Sequence, residues 1–151
     1  MYTSSMTDHT AHYLAAVNVI LEKDGKILLS RRQNKGWGDG LLCIPGGHVE
    51  PGELPLEATL RELKEELGIT AKPEDLQFLC VEAKTSPTRH YLSCIFVLKT
   101  NQAPVNNEPH ECSELVWVDP VQPGDEVIEN FKQIIERAYV GSDSYLEYET
   151  T

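Results

Sequence analysis

Residues 46–69 read GGHVEPGELPLEATLRELKEELGI, a glycine-rich turn followed by a strongly charged segment. Apolar residues recur in that segment at helical spacing and predict an amphipathic helix from about Pro55 to Leu67. The stripe consists of Leu56, Leu60, Leu63 and Leu67. Proline is tolerated in the first helical turn, and Gly68 stands where a left-handed cap is expected. The stretch therefore predicts a tight loop that leads directly into a helix.

Three glutamates of this helix, Glu62, Glu65 and Glu66, lie at positions i, i+3 and i+4 and so share one face. Each like-charge pair at this spacing costs roughly 0.2–0.5 kcal/mol. The helix dipole also disfavours negative charge in the last turns. We expect the leucine stripe to face the core and the carboxylates to form an exposed patch. A bound Mg²⁺ or Mn²⁺ would remove the repulsion, and a solvated acidic face is the alternative interpretation.

The rest of the chain predicts one domain of mixed α/β (α+β) class over residues 1–151, with a core at about 12–140 and frayed ends. Asp24-Gly25 between two apolar runs indicates a β-hairpin. A second helix is predicted from about Val127 to Ala138, with Asp125 as its N-cap. Strands before, between and after the helices predict a mixed sheet lying between two helices.

Composition narrows the classes of function. The 151 residues carry a net charge of −11, which disfavours binding to duplex nucleic acid because such binding depends on Lys and Arg. The first residues lack the features of a signal peptide, and no run is long enough to span a membrane. The four cysteines form no CxxC pair. We therefore expect a cytoplasmic protein with reduced thiols.

The spacing of Gly47, Glu53 and the run from Arg61 to Ile69 resembles the Nudix box, GX5EX7REUXEEXGU with U apolar. Every defined position of that 23-residue motif is filled. The order of elements from about residue 12 to 137 is also similar to that of a Nudix domain. The resemblance implies an α/β/α sandwich and Mg²⁺-dependent hydrolysis of a nucleoside diphosphate linked to another group.

The resemblance also implies roles for individual residues. Glu62, Glu65 and Glu66 would be metal ligands, and one of them or a glutamate from a later loop would be the general base. Gly47 would offer its carbonyl to the metal or shape the loop. Arg61 would orient a neighbouring glutamate, such as Glu53, as part of the catalytic group.

Further candidates lie outside the motif. Relatives often use a glutamate far down the chain, and here the choice is among Glu108, Glu111 and Glu114, with Glu108 or Glu114 favoured as an additional metal ligand. Arg31 and Arg32 are candidates for binding substrate phosphates, or else form surface ion pairs. The Gly46-Gly47 pair lets backbone approach the substrate. Trp37 is suited to stacking on a base or to packing within its loop.

The motif leaves the substrate open. The leading hypothesis, based on resemblance to small MutT-like proteins, is conversion of a nucleoside or deoxynucleoside triphosphate to the monophosphate and pyrophosphate. Cleavage of ADP-ribose or another nucleotide sugar is the alternative. A hypothesis from a different class is a non-catalytic nucleotide sensor, although sensors usually lack the glutamates that this chain keeps. A homodimer is possible.

Overall fold

The computed structural model describes residues 11–141 and 144–149. The strands are β1 (Leu14–Lys23), β2 (Lys26–Arg32), β3 (Leu42–Cys43), β4 (Gly46–His48), β5 (Leu76–Thr85), β6 (His90–Lys99), β7 (Cys112–Val118) and β8 (Tyr145–Glu149). The helices are α1 (Pro55–Leu67) and α2 (Glu129–Val140), and a short 3₁₀ turn spans Pro73–Asp75.

The strands form one mixed sheet, as the sequence predicted. Its order is β3-β2-β1-β6-β5-β8, while β4 pairs with β1 and β7 pairs with β2. The β1–β6 and β5–β8 pairs are parallel, and the β1–β2 and β5–β6 pairs are antiparallel. The predicted turn joins β1 to β2, with positive φ angles of 52° at Asp24 and 74° at Gly25. Such angles are required by the tight turns that match the twist of a hairpin.

Successive residues of β1 pack on opposite faces of the sheet, because side chains alternate along a strand. Val19 and Leu21 join the buried cluster that contains Leu63 and Leu67 of α1. Ile20 joins the other cluster, which contains Phe131, Ile134 and Ile135 of α2. The two helices therefore cover opposite faces, and the predicted α/β/α sandwich is confirmed.

Helix α1 has the predicted bounds, but its buried face is turned relative to the leucine stripe. Leu63 and Leu67 are buried together with Ala58 and Thr59, whereas Leu56 and Leu60 are only half-buried. The expected exposed acidic patch is therefore wrong for Glu62, whose side chain is 13% exposed, and right for Glu65, whose side chain is 54% exposed. Gly68 closes the helix with φ of 65°, as predicted for a left-handed cap.

The second helix begins later than predicted, at Glu129, and Asp125 does not cap it. The residues just before the helix instead form backbone hydrogen bonds with the edge of the sheet. Leu42 of β3 donates its N–H to the carbonyl of Glu126 at 2.8 Å and accepts the N–H of Ile128 at 3.0 Å. An apolar periodicity cannot distinguish these extended residues from a helical turn. The tail strand β8, which has no clear period in the sequence, pairs with β5.

Two further expectations concern thiols and membranes. Cys43, Cys80, Cys94 and Cys112 are all free thiols, as predicted. Among the described residues, neither helix has the length and apolar character needed to cross a membrane.

Candidate active site

The carboxylates of Glu62 and Glu66 project from α1 against strand β4. Glu66 Oε2 accepts the backbone N–H of Gly46 at 3.0 Å. A Cβ atom at Gly47 would lie 2.2 Å from Glu62 Oε1, closer than any side chain tolerates. The glycine pair therefore lets the helix approach the strand closely enough to half-bury both carboxylates.

Glu108 joins these two carboxylates through backbone pairing at the end of α1. The last carbonyls of a helix have no partner within the helix. Here the carbonyl of Leu67 accepts the N–H of Val105 at 2.9 Å, and the carbonyl of Glu66 accepts the N–H of Asn107 at 3.1 Å. This pairing brings the loop to α1 and places half-buried Glu108 within electrostatic range of Glu66. Glu62, Glu66 and Glu108 are called the acidic group below.

Burial and mutual repulsion disfavour the charged forms of the carboxylates in the acidic group. Burial, followed by the charges of Glu62 and Glu108, raises the pKa of Glu66 to about 8. Burial also raises the pKa of Glu62, and the adjacent Arg61 guanidinium opposes that rise. Both effects identify a place where an added positive charge would be stabilised.

Arg61 connects the acidic helix to the glycine turn. Its Nε donates to Glu53 Oε1 at 2.8 Å, and its NH2 donates to Glu53 Oε2 at 2.9 Å. Its NH1 donates to Glu62 at 2.8 Å and to Glu65 at 3.1 Å. The pairing with Arg61 is the main cause that lowers the pKa of Glu53 to about 2. The Arg61–Glu53 contact expected from the sequence is thus present, and it fixes the orientation of α1 against the loop.

The donor set fits a hard divalent cation, although the ligands are not arranged around one. Three carboxylates beside a backbone turn supply the oxygen donors that Mg²⁺ and Mn²⁺ prefer. Within residues 11–141 and 144–149, no set of three or more His, Cys, Asp and Glu side chains has the arrangement of a metal centre. Arg61 instead supplies the positive charge between Glu62 and Glu65.

Basic side chains face two members of the acidic group, Glu66 and Glu108, across a cleft. The polar lining includes Arg32, Lys35, Glu66, Glu108 and Glu111, and Ile44 and Phe131 contribute apolar wall. Lys35 forms an ion pair with Glu111, and its charge acts to lower the pKa of Glu66. One cleft therefore presents both carboxylates and cations, the combination that a metal-bound phosphate ester would need.

The structure does not bring Arg31 and Glu114 into this cleft. Arg31 Nε donates to Glu114 Oε1 at 2.5 Å, and its remaining nitrogens donate to Glu126 at 3.0 Å and to the carbonyl of Gly40 at 2.8 Å. The Arg31 guanidinium is therefore held by the neighbouring chain segments, the ion-pair alternative left open by the sequence. The geometry does not support Arg31 as a phosphate ligand or Glu114 as a metal ligand.

Sequence reasoning missed Lys35. The three glycines of the loop 33–41 predict a turn but do not say where the side chain of a given residue points. Asp39 folds the loop back by accepting the N–H groups of Lys35 at 2.9 Å and Gly36 at 3.1 Å. The folded loop places Lys35 in the lining of the cleft, and no local feature of the sequence indicates this position.

The chain is similar to known proteins along most of its length. The model of the NUDIX domain matches residues 11–138. The CTP pyrophosphohydrolase of Escherichia coli is 36% identical over 110 residues, covering 71% of this chain and 76% of that protein. The ADP-ribose pyrophosphatase of Methanocaldococcus jannaschii is 41% identical over 87 residues, covering 58% of this chain and 51%, about half, of that protein.

A solved structure shares the fold. The MutT NUDIX hydrolase of Burkholderia pseudomallei superposes with a TM-score of 0.75 at 23% identity, over 83% of this chain and 98% of that one. The family model, the pyrophosphatase relatives and the shared fold agree with the motif around the acidic group. The chain belongs to the Nudix hydrolase family.

Proposed function

We propose that the enzyme hydrolyses a nucleoside or deoxynucleoside triphosphate to the monophosphate and pyrophosphate, with Mg²⁺, or Mn²⁺ in its place. The observation that carries this proposal is the single cleft in which Glu66 and Glu108 face Arg32 and Lys35. Carboxylates alone would repel a polyphosphate, and basic residues alone would not hold a cation. Together they suit a substrate that brings its own negative charge and a bound metal.

The proposed ligands of the cation are Glu62, Glu66 and Glu108, with Glu65 at the rim and the Gly47 carbonyl as a further donor. When bound, the divalent ion neutralises phosphate charge and lowers the pKa of water. Arg32 and Lys35 hold the phosphate oxygens, and Arg61 keeps Glu62 and Glu53 in position. Most of the rate enhancement would come from such positioning and charge stabilisation.

The reaction is a displacement at phosphorus. The oxygen of a water molecule forms a new bond to phosphorus while the bond from phosphorus to the bridging oxygen breaks. The bridging oxygen leaves with its electron pair on the departing product. A glutamate of the site, from α1 or Glu108, accepts the proton of the attacking water.

Cleavage of ADP-ribose is the second candidate, and one observation favours it. The relative with 41% identity is named an ADP-ribose pyrophosphatase. The same acidic group and the same basic residues would hold a diphosphate that links two ribosyl groups. The chemistry at phosphorus is therefore the same for both candidates. They differ in the group beyond the cleaved bond, a further phosphate in one case and a ribose in the other, that the outer part of the cleft must accept.

Turnover of a nucleotide panel tests the proposal. The full chain and a Glu65→Gln variant are incubated with Mg²⁺ and with triphosphates or ADP-ribose, and released pyrophosphate or sugar phosphate is measured. We expect triphosphate turnover by the wild type and a large loss in the variant. Faster cleavage of ADP-ribose than of any triphosphate would favour the second candidate. Turnover of no panel member by the wild type would contradict both and leave a nucleotide sensor.

A further inference from the structure

Trp37 is presented to solvent by a loop that is held firmly in place. Its side chain is 50% exposed. The carbonyl of Trp37 accepts Arg32 Nε at 2.9 Å, and a Cβ on the next residue, Gly38, would lie 2.8 Å from the side chain of Ile128, just before α2. Asn34 donates to the carbonyl of His110 at 2.8 Å. The backbone of this loop is already ordered by these contacts. A ligand that stacks on the exposed indole would therefore lose little free energy in ordering the loop.

Lys84 places its ammonium group between two aromatic rings. Its Nζ lies 4.8 Å from the centroid of Trp37 and 5.1 Å from that of Tyr91. Lys84 is half-buried on β5 and Tyr91 is half-buried on β6. Among the described residues, no carboxylate oxygen lies within ion-pair distance of Lys84 Nζ. The charge of Lys84 acts on Glu82, two residues away on the same strand, but no direct ion pair among the described residues holds its ammonium.

The Trp37–Lys84–Tyr91 group borders the cleft on one side and strand β4 on the other. Arg32 lines the cleft with Glu66, and its guanidinium carbon lies 5.2 Å from the centroid of the Trp37 ring. On the other side, Tyr91 stacks on His48, with ring centroids 5.8 Å apart and an interplanar angle of 29°. His48 follows Gly47, which contacts Glu62. The aromatic group is therefore adjacent to the place where a substrate's phosphates would lie.

We propose that Trp37, Lys84 and Tyr91 form the nucleobase subsite, and that Lys84 selects bases that carry a ring carbonyl oxygen. This inference rests on the proposed function, because it names the part of the nucleotide that extends beyond the phosphates. Base stacking on an aromatic ring is tolerant of base identity and contributes binding free energy to every nucleotide. Selection must then come from Lys84.

The selectivity follows from the hydrogen-bonding capacity of lysine. Its ammonium has three donors and no acceptor, so it pairs with a carbonyl oxygen and not with an amino group. Guanine, thymine, uracil and cytosine present such oxygens on their edges. Adenine has no carbonyl oxygen: its acceptors are ring nitrogens, and N7 lies beside the amino group, a donor that repels an ammonium. The four-carbon stem lets the ammonium move from the ring face to the edge of a stacked base. We therefore expect adenine nucleotides to be the poorest substrates.

Steady-state kinetics with GTP, UTP, CTP and ATP test this subsite. Trp37→Ala is expected to raise KM about tenfold for all four nucleotides with little change in kcat. Lys84→Met is expected to lower the kcat/KM ratio of UTP to ATP by about tenfold, and Lys84→Arg is expected to retain it. Phe78→Ala and Lys99→Met are matched controls, because Phe78 is also 50% exposed and Lys99 is also on the sheet surface, with a side chain 73% exposed.

Calorimetric binding of UMP and AMP separates this inference from the proposed function, because it needs no turnover. Tighter binding of UMP than of AMP, with the preference lost in Lys84→Met, supports the subsite even if no triphosphate is hydrolysed. If Trp37→Ala and Lys84→Met behave like the two controls in both binding and kinetics, the subsite is wrong while the function stands. Melting temperatures equal to the wild type exclude unfolding as the cause of any loss.

Discussion

Two glutamates on opposite faces of the sheet, the buried Glu82 and the half-buried Glu66, show how a structural carboxylate differs from a proposed metal ligand. Glu82, on the α2 side, is 2% exposed and accepts Asn130 Nδ2 at 2.9 Å. Glu66, on the α1 side, accepts the N–H of Gly46 and opens to the cleft. Burial is the main cause that raises the pKa of both. A raised pKa alone therefore does not identify the site.

The difference lies in the neighbours. Glu66 has the like charges of Glu62 and Glu108 beside it, which raise its pKa further. Glu82 has an amide partner and the cation of Lys84, which both act to lower its pKa. A bound cation would stabilise a carboxylate that has like-charged neighbours and opens to a cleft. A buried carboxylate that is hydrogen-bonded to an amide needs no such cation. The experiments below test that distinction, from the largest expected effect to the smallest.

The same substitution at the two positions should give opposite results for activity. We expect Glu66→Gln to lower kcat/KM by about 10²–10⁴ because it removes a charge from the acidic group. Glu82→Gln should stay within about twofold of the wild type, since the amide keeps an acceptor for Asn130. Pyrophosphate release by both purified variants measures this. Equal losses of kcat/KM in the two variants would contradict the assignment of Glu66 to the site and of Glu82 to the core.

A second pair asks which late glutamate belongs with Glu66. Glu108→Gln should lower kcat/KM by about tenfold or more, because Glu108 lies within range of Glu66 and lines the cleft. Glu114→Gln should change it little, since Glu114 pairs with Arg31 away from the cleft. The two variants are assayed at saturating and at limiting Mg²⁺. A larger loss of kcat/KM in Glu114→Gln than in Glu108→Gln would instead favour Glu114 as the additional metal ligand.

Metal addition should stabilise the wild type through the acidic group only. A ligand that binds the folded state raises its stability by mass action. Millimolar Mg²⁺ should raise Tm by about 3–6 °C in the wild type and in Glu82→Gln, and by much less in Glu66→Gln. Differential scanning fluorimetry with and without EDTA measures the shift. An equal shift in all three proteins would place the cation elsewhere.

The pH dependence of the free energy of unfolding should show that Glu82 binds a proton more tightly in the folded state. Its pKa is raised in the folded state, so the folded state binds a proton more tightly than the unfolded chain does. The stability that this contributes is fully present below the unfolded pKa and is lost as pH rises through the folded pKa. Glu82→Gln should therefore gain stability relative to the wild type as the pH is raised from 5 to 8.

The neutral amide has a further advantage, because it offers a donor to Asn130 Oδ1. That oxygen is buried without a hydrogen-bond partner among the described residues. Urea unfolding of both proteins at the two pH values measures the gain. A difference between the proteins that does not change with pH would mean that Glu82 is equally charged in both states.

How much of the site could be predicted from the sequence depended on the range of the interactions involved. Spacing along one helix placed Glu62, Glu65 and Glu66 on a shared side, because helical geometry is local. The choice between Glu108 and Glu114 could not be made in the same way. It depended on the backbone pairing of Val105 and Asn107 with the end of α1, which joins segments about 40 residues apart.

The two arginines after the second strand illustrate the same limit. Both were candidates for phosphate binding, and adjacent residues of a strand point to opposite faces. Arg31 points to Glu114 and Glu126, whereas Arg32 points to Trp37 and the cleft. Only the register of β2 with β7, which pairs Arg31 with Glu114, decided which arginine reaches the site.

The sequence by itself determined the bounds of α1, the hairpin at Asp24-Gly25, the sandwich class and the motif that identifies the family. Each of these depends on local periodicity, turn chemistry or fixed spacing. Tertiary structure alone decided that Glu62 and Glu66 are half-buried, that Glu108 joins them, that Lys35 lines the cleft, and that Lys84 lies against the rings of Trp37 and Tyr91. Burial and charge pairing are set by contacts between distant segments, and a single sequence does not specify which contacts form.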